Sequence, residues 1–141
     1  MNSKFTDEDY QNASVSLHRG PCFGPCPIYT VTVQGNGWIS YKGEGFVQVE
    51  GKQESFIEPK AAQELILTFA IQDFFSYARN YDEFNGMTDL PHTDLILSIG
   101  GTTKTASRYG LPPNYPKRLI FLENEIERVA NVKQWVGESE D

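Results

Sequence analysis

Histidine and cysteine are scarce in this chain, whose 141 residues hold two of each. With so few histidines, and with no G-x-S-x-G or H-E-x-x-H run, the common serine-hydrolase and zinc-hydrolase constellations are poorly supplied. Basic residues are also in deficit: 12 Lys and Arg stand against 19 Asp and Glu, for a net charge of −7. Nucleic-acid affinity rests mostly on cationic side chains that neutralise phosphates, so no nucleic-acid partner is expected. Anionic membrane surfaces are disfavoured for the same reason. No run of about 18 apolar residues exists, so no membrane span is expected. The opening MNSKFTDEDYQN lacks the apolar stretch of a secretory signal. It therefore reads as cytoplasmic, although an exported protein trimmed of its signal would look the same. No repeat, linker or low-complexity tract interrupts the chain.

Aromatic residues, by contrast, are plentiful, with nine Phe, seven Tyr and two Trp. Disordered chains are poor in such residues, so a packed core is expected. The length suits one domain, able to bury roughly two-thirds of its unfolded surface without a staple. We read residues 1–12 as a loose polar segment, residues 13–136 as the domain and residues 137–141 as an acidic tail.

Strand signals dominate the first half. Residues 13–19 alternate, with Val15 and Leu17 against Ser14, Ser16 and His18, as a half-buried strand does. Residues 28–34 are β-branched, and Tyr29, Val31 and Val33 share a face. Gly35-Asn36-Gly37 is a hairpin signal, and residues 38–42 form the return strand. Gly43-Glu44-Gly45 turns the chain into a strand at 46–50, and Gly51-Lys52 into another at 53–57. Glu58-Pro59 opens a helix, with Pro where no N–H partner is needed, and Ala62, Leu65, Ile66 and Phe69 make its apolar stripe. Residues 79–91 read as irregular. Strands follow at 93–99 and 104–109, joined at Gly100-Gly101. A second helix runs from Pro116 to about Asn131 with Leu119, Leu122, Ile126 and Val129 inward, and Trp135 anchors the tail. The expected fold class is α+β: a mainly antiparallel sheet, a meander of short strands, with two helices packed on one face. Its core should include Val31, Leu65, Phe69, Leu97, Leu122 and Ile126.

The distinctive local feature is Arg19-Gly-Pro-Cys22-Phe23-Gly-Pro-Cys26-Pro-Ile-Tyr29. Four readings of its cysteines stand open. A local disulfide is sterically feasible, because Gly24 and Pro25 fold the loop tightly. Reduced, part-buried thiols suit a cytoplasmic chain. A metal site would draw on His18, Cys22, Cys26 and His92, but structural zinc usually takes closer cysteine pairs. Dithiol catalysis usually has C-x-x-C at a helix start, whereas here the spacing is C-x-x-x-C and a strand follows. No cofactor and no bound metal are expected.

The run Cys22-Phe-Gly-Pro-Cys-Pro-Ile-Tyr-Thr-Val31, then Gly35-Asn-Gly37 and Tyr41-Lys-Gly43, resembles the start of a bacterial family, domain of unknown function 6438. The resemblance continues through Phe74-Phe75, Thr88-Asp89-Leu-Pro91, Lys104 and Tyr109 and ends in the 122–126 helix. Many of that family's members look exported, often as lipoproteins, so the resemblance favours a Cys22–Cys26 bridge. It brings no established activity.

The remaining signals are weaker. Asp82, Glu83, Asp89 and Asp94 form an acidic group, usable in acid–base chemistry or for calcium, but without EF-hand spacing. Thr88 and Asp89 more simply cap the irregular segment. Trp38, Tyr41 and Phe46 could join Tyr29 in a binding surface, or face the core. The functional reading is a non-enzymatic binding or interaction module for a protein or small ligand. Its candidate contact residues are Cys22, Phe23, Cys26, Tyr29, Thr88, Asp89 and Tyr109. The alternative is an enzyme using Cys22 or Asp89, in thiol redox or acid–base chemistry.

Overall fold

The computed structural model describes residues 5–22, 24–82 and 92–137. Its strands are β1 (Ser14–Arg19), β2 (Ile28–Gln34), β3 (Trp38–Gly45), β4 (Gly51–Phe56), β5 (Asn80–Asp82), β6 (His92–Ile99) and β7 (Thr102–Tyr109). The helices are α1 (Asp7–Gln11), α2 (Pro59–Ile71), α3 (Lys117–Ala130) and α4 (Lys133–Val136). One sheet carries all seven strands in the order β4-β3-β2-β1-β6-β7-β5. Every neighbouring pair is antiparallel except β5 with β7, which is parallel. The α+β class therefore holds. The sheet is mixed, however, and the described residues form four α-helices where two were expected.

Alternation along the strands separates two faces. Val15, Leu17, Val31, Val33, Ile39, Tyr41, Leu95, Leu97 and Ile99 point to one side and are buried. They meet Leu65, Ile66 and Phe69 of α2 and Leu119, Leu122 and Ile126 of α3 in a single core. Each such side chain contributes roughly 1.5–3 kcal/mol by leaving water. Among the described residues the opposite face is largely polar, apart from Ile96 and the Trp38–Phe56 ring pair. There Ser16 meets Thr32 at 2.8 Å and Ser98 meets Thr103 at 3.1 Å, hydroxyl to hydroxyl.

Three departures from the sequence reading have local causes. Residues expected to be loose include α1, held by a capping box: Asp9 donates its N–H to Thr6 Oγ1 (3.0 Å) and Thr6 its N–H to Asp9 Oδ2 (2.9 Å). The strand expected at 46–50 does not form. β3 instead runs on to Gly45 and β4 starts at Gly51. Gly43 permits this, because a Cβ there would collide with the Val49 carbonyl oxygen as the loop folds back. The loop then bonds α4, Val49 N–H donating to Trp135 O (2.8 Å) and Gln48 N–H to Val136 O (3.2 Å). The third departure is β5, too short to show a period, which is kept by its pairing to β7 and by buried Tyr81.

Candidate functional site

The last inward row of the sheet is polar. Register places Tyr29 opposite Arg19, Arg19 opposite Thr93, Thr93 opposite Arg108 and Arg108 opposite Tyr81. These residues keep the inward phase of the apolar positions two residues before or after them. Glu123 and Glu127 lie one turn apart on α3 and reach down onto this row. Their carboxylates are what the arginines need, since an unpaired charge at this depth would be costly.

Glu123 is 1% exposed and accepts four hydrogen bonds. Arg108 grips it with both Nε (2.9 Å) and Nη2 (2.9 Å), Arg19 Nη1 donates at 2.8 Å and the Tyr115 hydroxyl at 2.6 Å. Arg19 also reaches Thr93 Oγ1 (3.2 Å) and Glu127 Oε2 (3.3 Å from Nε). The Tyr29 hydroxyl donates to Glu127 in a short bond. Arg108 spends its remaining guanidinium nitrogen on Gly110 O and lies 5.0 Å above the Tyr115 ring.

Electrostatics follow from this wiring. Burial alone would raise the Glu123 carboxyl, but the hydrogen bonds and charges of Arg108 and Arg19 hold it below its ordinary value. Burial and then Glu127 push the Tyr29 hydroxyl well up, and burial and then Glu123 do the same to Tyr115. Burial disfavours the Arg19 charge, yet Glu127 and Glu123 outweigh it and the guanidinium stays protonated. Two cations and two anions thus cancel, with their donors and acceptors directed at one another.

Arg19, Tyr29, Thr93, Arg108 and Glu127 of this row form the floor of a groove of about 760 Å³. Gly20, Cys26 and Pro27 of the cysteine loop make one wall. Asn124, Arg128, Asn131, Val132, Lys133, Val136 and Gly137, from α3 and α4, make the other. The sulfurs of Cys22 and Cys26 are at bonding distance, their Cα atoms 5.9 Å apart, so the loop is closed by a disulfide. A bridged pair supplies no thiolate, which removes both sulfurs from the His18–Cys22–Cys26–His92 ligand set. Among the described residues no cluster of three or more His, Cys, Asp or Glu is arranged to hold a metal ion.

The structure brings Cys26 and Tyr29 together at the groove and carries Cys22 just behind them. Tyr109 does not line the groove, but its ring stacks on His92 (centroids 4.6 Å apart), which does, and His92 also meets Asp94 at 3.0 Å. Asp94 accepts a short bond from the Ser107 hydroxyl. Phe23, Glu83, Thr88 and Asp89 lie outside the described residues. Of the exposed-aromatic candidates, Tyr41 is buried and stacks on Trp135 at 4.8 Å, while Phe46 is exposed. The sequence reading did not single out Arg19, Arg108, Tyr115, Glu123 or Glu127. A signal was present: strand alternation puts Arg19 in phase with Val15 and Leu17, and the α3 stripe Leu119–Leu122–Ile126 includes a carboxylate at 123.

Fold and site together define a single-sheet α+β domain with one helix-covered face and a disulfide-walled groove over a neutralised charge row. The chain belongs to the family described as Domain of unknown function (DUF6438), whose model matches residues 13–130. That span takes in both cysteines and every side chain of the charge row. No curated protein matches the chain. Among the described residues no helix is long and apolar enough to cross a membrane.

Proposed function

We propose that this domain is a non-enzymatic binding module and that the groove beside the Cys22–Cys26 loop is its contact site. One observation carries the reading: a concave site of about 760 Å³ whose floor commits its charged groups to one another. Groups of that kind make a rigid, pre-formed surface, and pre-organisation lowers the entropic cost of holding a ligand. Val132, Val136, Pro27 and Cys26 offer apolar contact, while Arg128, paired with Glu125, and Lys133 add positive charge along the same wall. A partner segment or small molecule with an apolar body and a polar or acidic end fits that lining. With Cys22 and Cys26 joined, neither sulfur is available as a nucleophile.

The test is a fragment screen read by amide chemical shifts. Binders should perturb Gly20, Asn131 and Gly137 together, and Val136→Arg should abolish the response by filling the groove. Shifts confined to the open sheet face, or a screen insensitive to Val136→Arg, would reject the site. Titration of the native protein with a thiol reagent should find no free thiol, and one fast-reacting thiol would favour an enzyme instead.

A further inference from the structure

The sheet ends in a strand that none of the described residues covers. β4 is the outermost strand, and five of its six residues are exposed, Ser55 alone being half-buried. Its hydrogen-bonding phase follows from the residue just beyond it. Ile57 donates its N–H to Gly37 O at 2.9 Å. In an antiparallel pair alternate residues bond to the neighbouring strand, so Gln53 and Ser55 direct their backbone groups towards β3. Lys52, Glu54 and Phe56 direct theirs outward, and such a row is a template for another strand.

The charges select which strand. Lys52 sits directly opposite Lys42 in the β3–β4 register, and like charges so placed repel. Among the described residues neither lysine, nor Glu54, takes part in an ion pair. Two copies of β4 set antiparallel about a twofold axis at Gln53 bring Lys52 of each opposite Glu54 of the other. Those are also the residues whose backbone groups face outward, so one register satisfies the ladder and the charges at once. An axis at residue 52 or 54 would set lysine against lysine or glutamate against glutamate. We propose that β4 pairs with β4 of a second copy of this chain, forming an isologous dimer with a continuous sheet. A short edge contact of this kind buries little surface and makes a weak, reversible dimer.

Sedimentation velocity over a wide concentration range tests this, with the groove left untouched. The chain should show a reversible monomer–dimer equilibrium. Lys52→Glu or Glu54→Lys alone should weaken it roughly tenfold or more, because each places like charges face to face. The double swap, Lys52→Glu with Glu54→Lys, should restore it. Glu54→Pro should remove the dimer and leave circular dichroism unchanged, because the N–H it deletes faces away from β3. Val136→Arg, which tests the groove, should leave the dimer intact, so the two proposals fail separately. A chain that stays monomeric at every concentration would overturn the proposal, and in that case Lys52 and Glu54 guard an edge. A dimer indifferent to the charge reversals and to proline would overturn it as well.

Discussion

Glu123 is the side chain on which the charged row depends. It takes hydrogen bonds from two arginines and a tyrosine while almost wholly buried. Glu123→Gln leaves Arg19 with Glu127 alone and Arg108 with no carboxylate. Breaking a buried pair by removing one partner costs about 3–5 kcal/mol, since the other charge stays buried and uncompensated. Urea unfolding at neutral pH should show a loss of that size. Tyr115→Phe removes one hydroxyl donor to the same carboxylate and should cost less, roughly 1.5–3 kcal/mol for a bond to a charged group. If Glu123→Gln proves as stable as the parent, the row is not a structural device and its polarity serves the groove alone.

At the scale of elements, the disulfide loop and helix α2 should behave in opposite ways. Gly20, Pro21, Gly24, Pro25 and Pro27 keep the cysteines off the sheet ladder, and the bridge closes a very short loop. It removes little entropy from the unfolded chain, so Cys22→Ser with Cys26→Ser should lower stability by roughly 0–2 kcal/mol. Circular dichroism should be unchanged, while any groove ligand should bind more weakly, because Cys26 and Pro27 wall the site. An unfolded double variant at room temperature would show the bridge to be structural. In α2, Phe69 is fully buried, with its ring centroid 5.2 Å from that of Phe74. Phe69→Ala should cost about 3–5 kcal/mol by thermal or urea unfolding, through lost transfer energy and the cavity left behind.

For the whole molecule, the buried titratable groups define a pH window. The Glu123 carboxyl lies below its ordinary value, so as pH falls the unfolded chain takes up that proton first, near pH ~4.3. Stability from this group is complete above that pH and is lost as pH drops through the folded value. Tyr29 and Tyr115 are raised, so the unfolded chain releases those protons first, near pH ~10. Their contribution is complete below that pH and is lost as pH climbs towards the folded values. Thermal melts across pH should therefore show a plateau with falling acid and alkaline limbs. Glu123→Gln should flatten the acid limb, and an unaltered limb would mean that other carboxyls control acid unfolding.

Much of this molecule was written in local patterns. Residues 28–34 form the strand their β-branched run predicts, α2 buries the stripe at Ala62, Leu65, Ile66 and Phe69, and Trp135 packs where expected. Period and turn chemistry are near-neighbour properties, so sequence alone determined most of the strands, the two longer helices and the core. Strand order, the parallel pairing of β5 and the diversion of residues 46–50 onto α4 depend on contacts distant along the chain. The site is of the same kind. Arg19 lies 104 positions from Glu123, and alternation could show only that Arg19 turns inward. That a carboxylate waits there, and that the loop closes over it as a groove, was decided by tertiary packing, because a buried charge is tolerated only where the fold brings its partner.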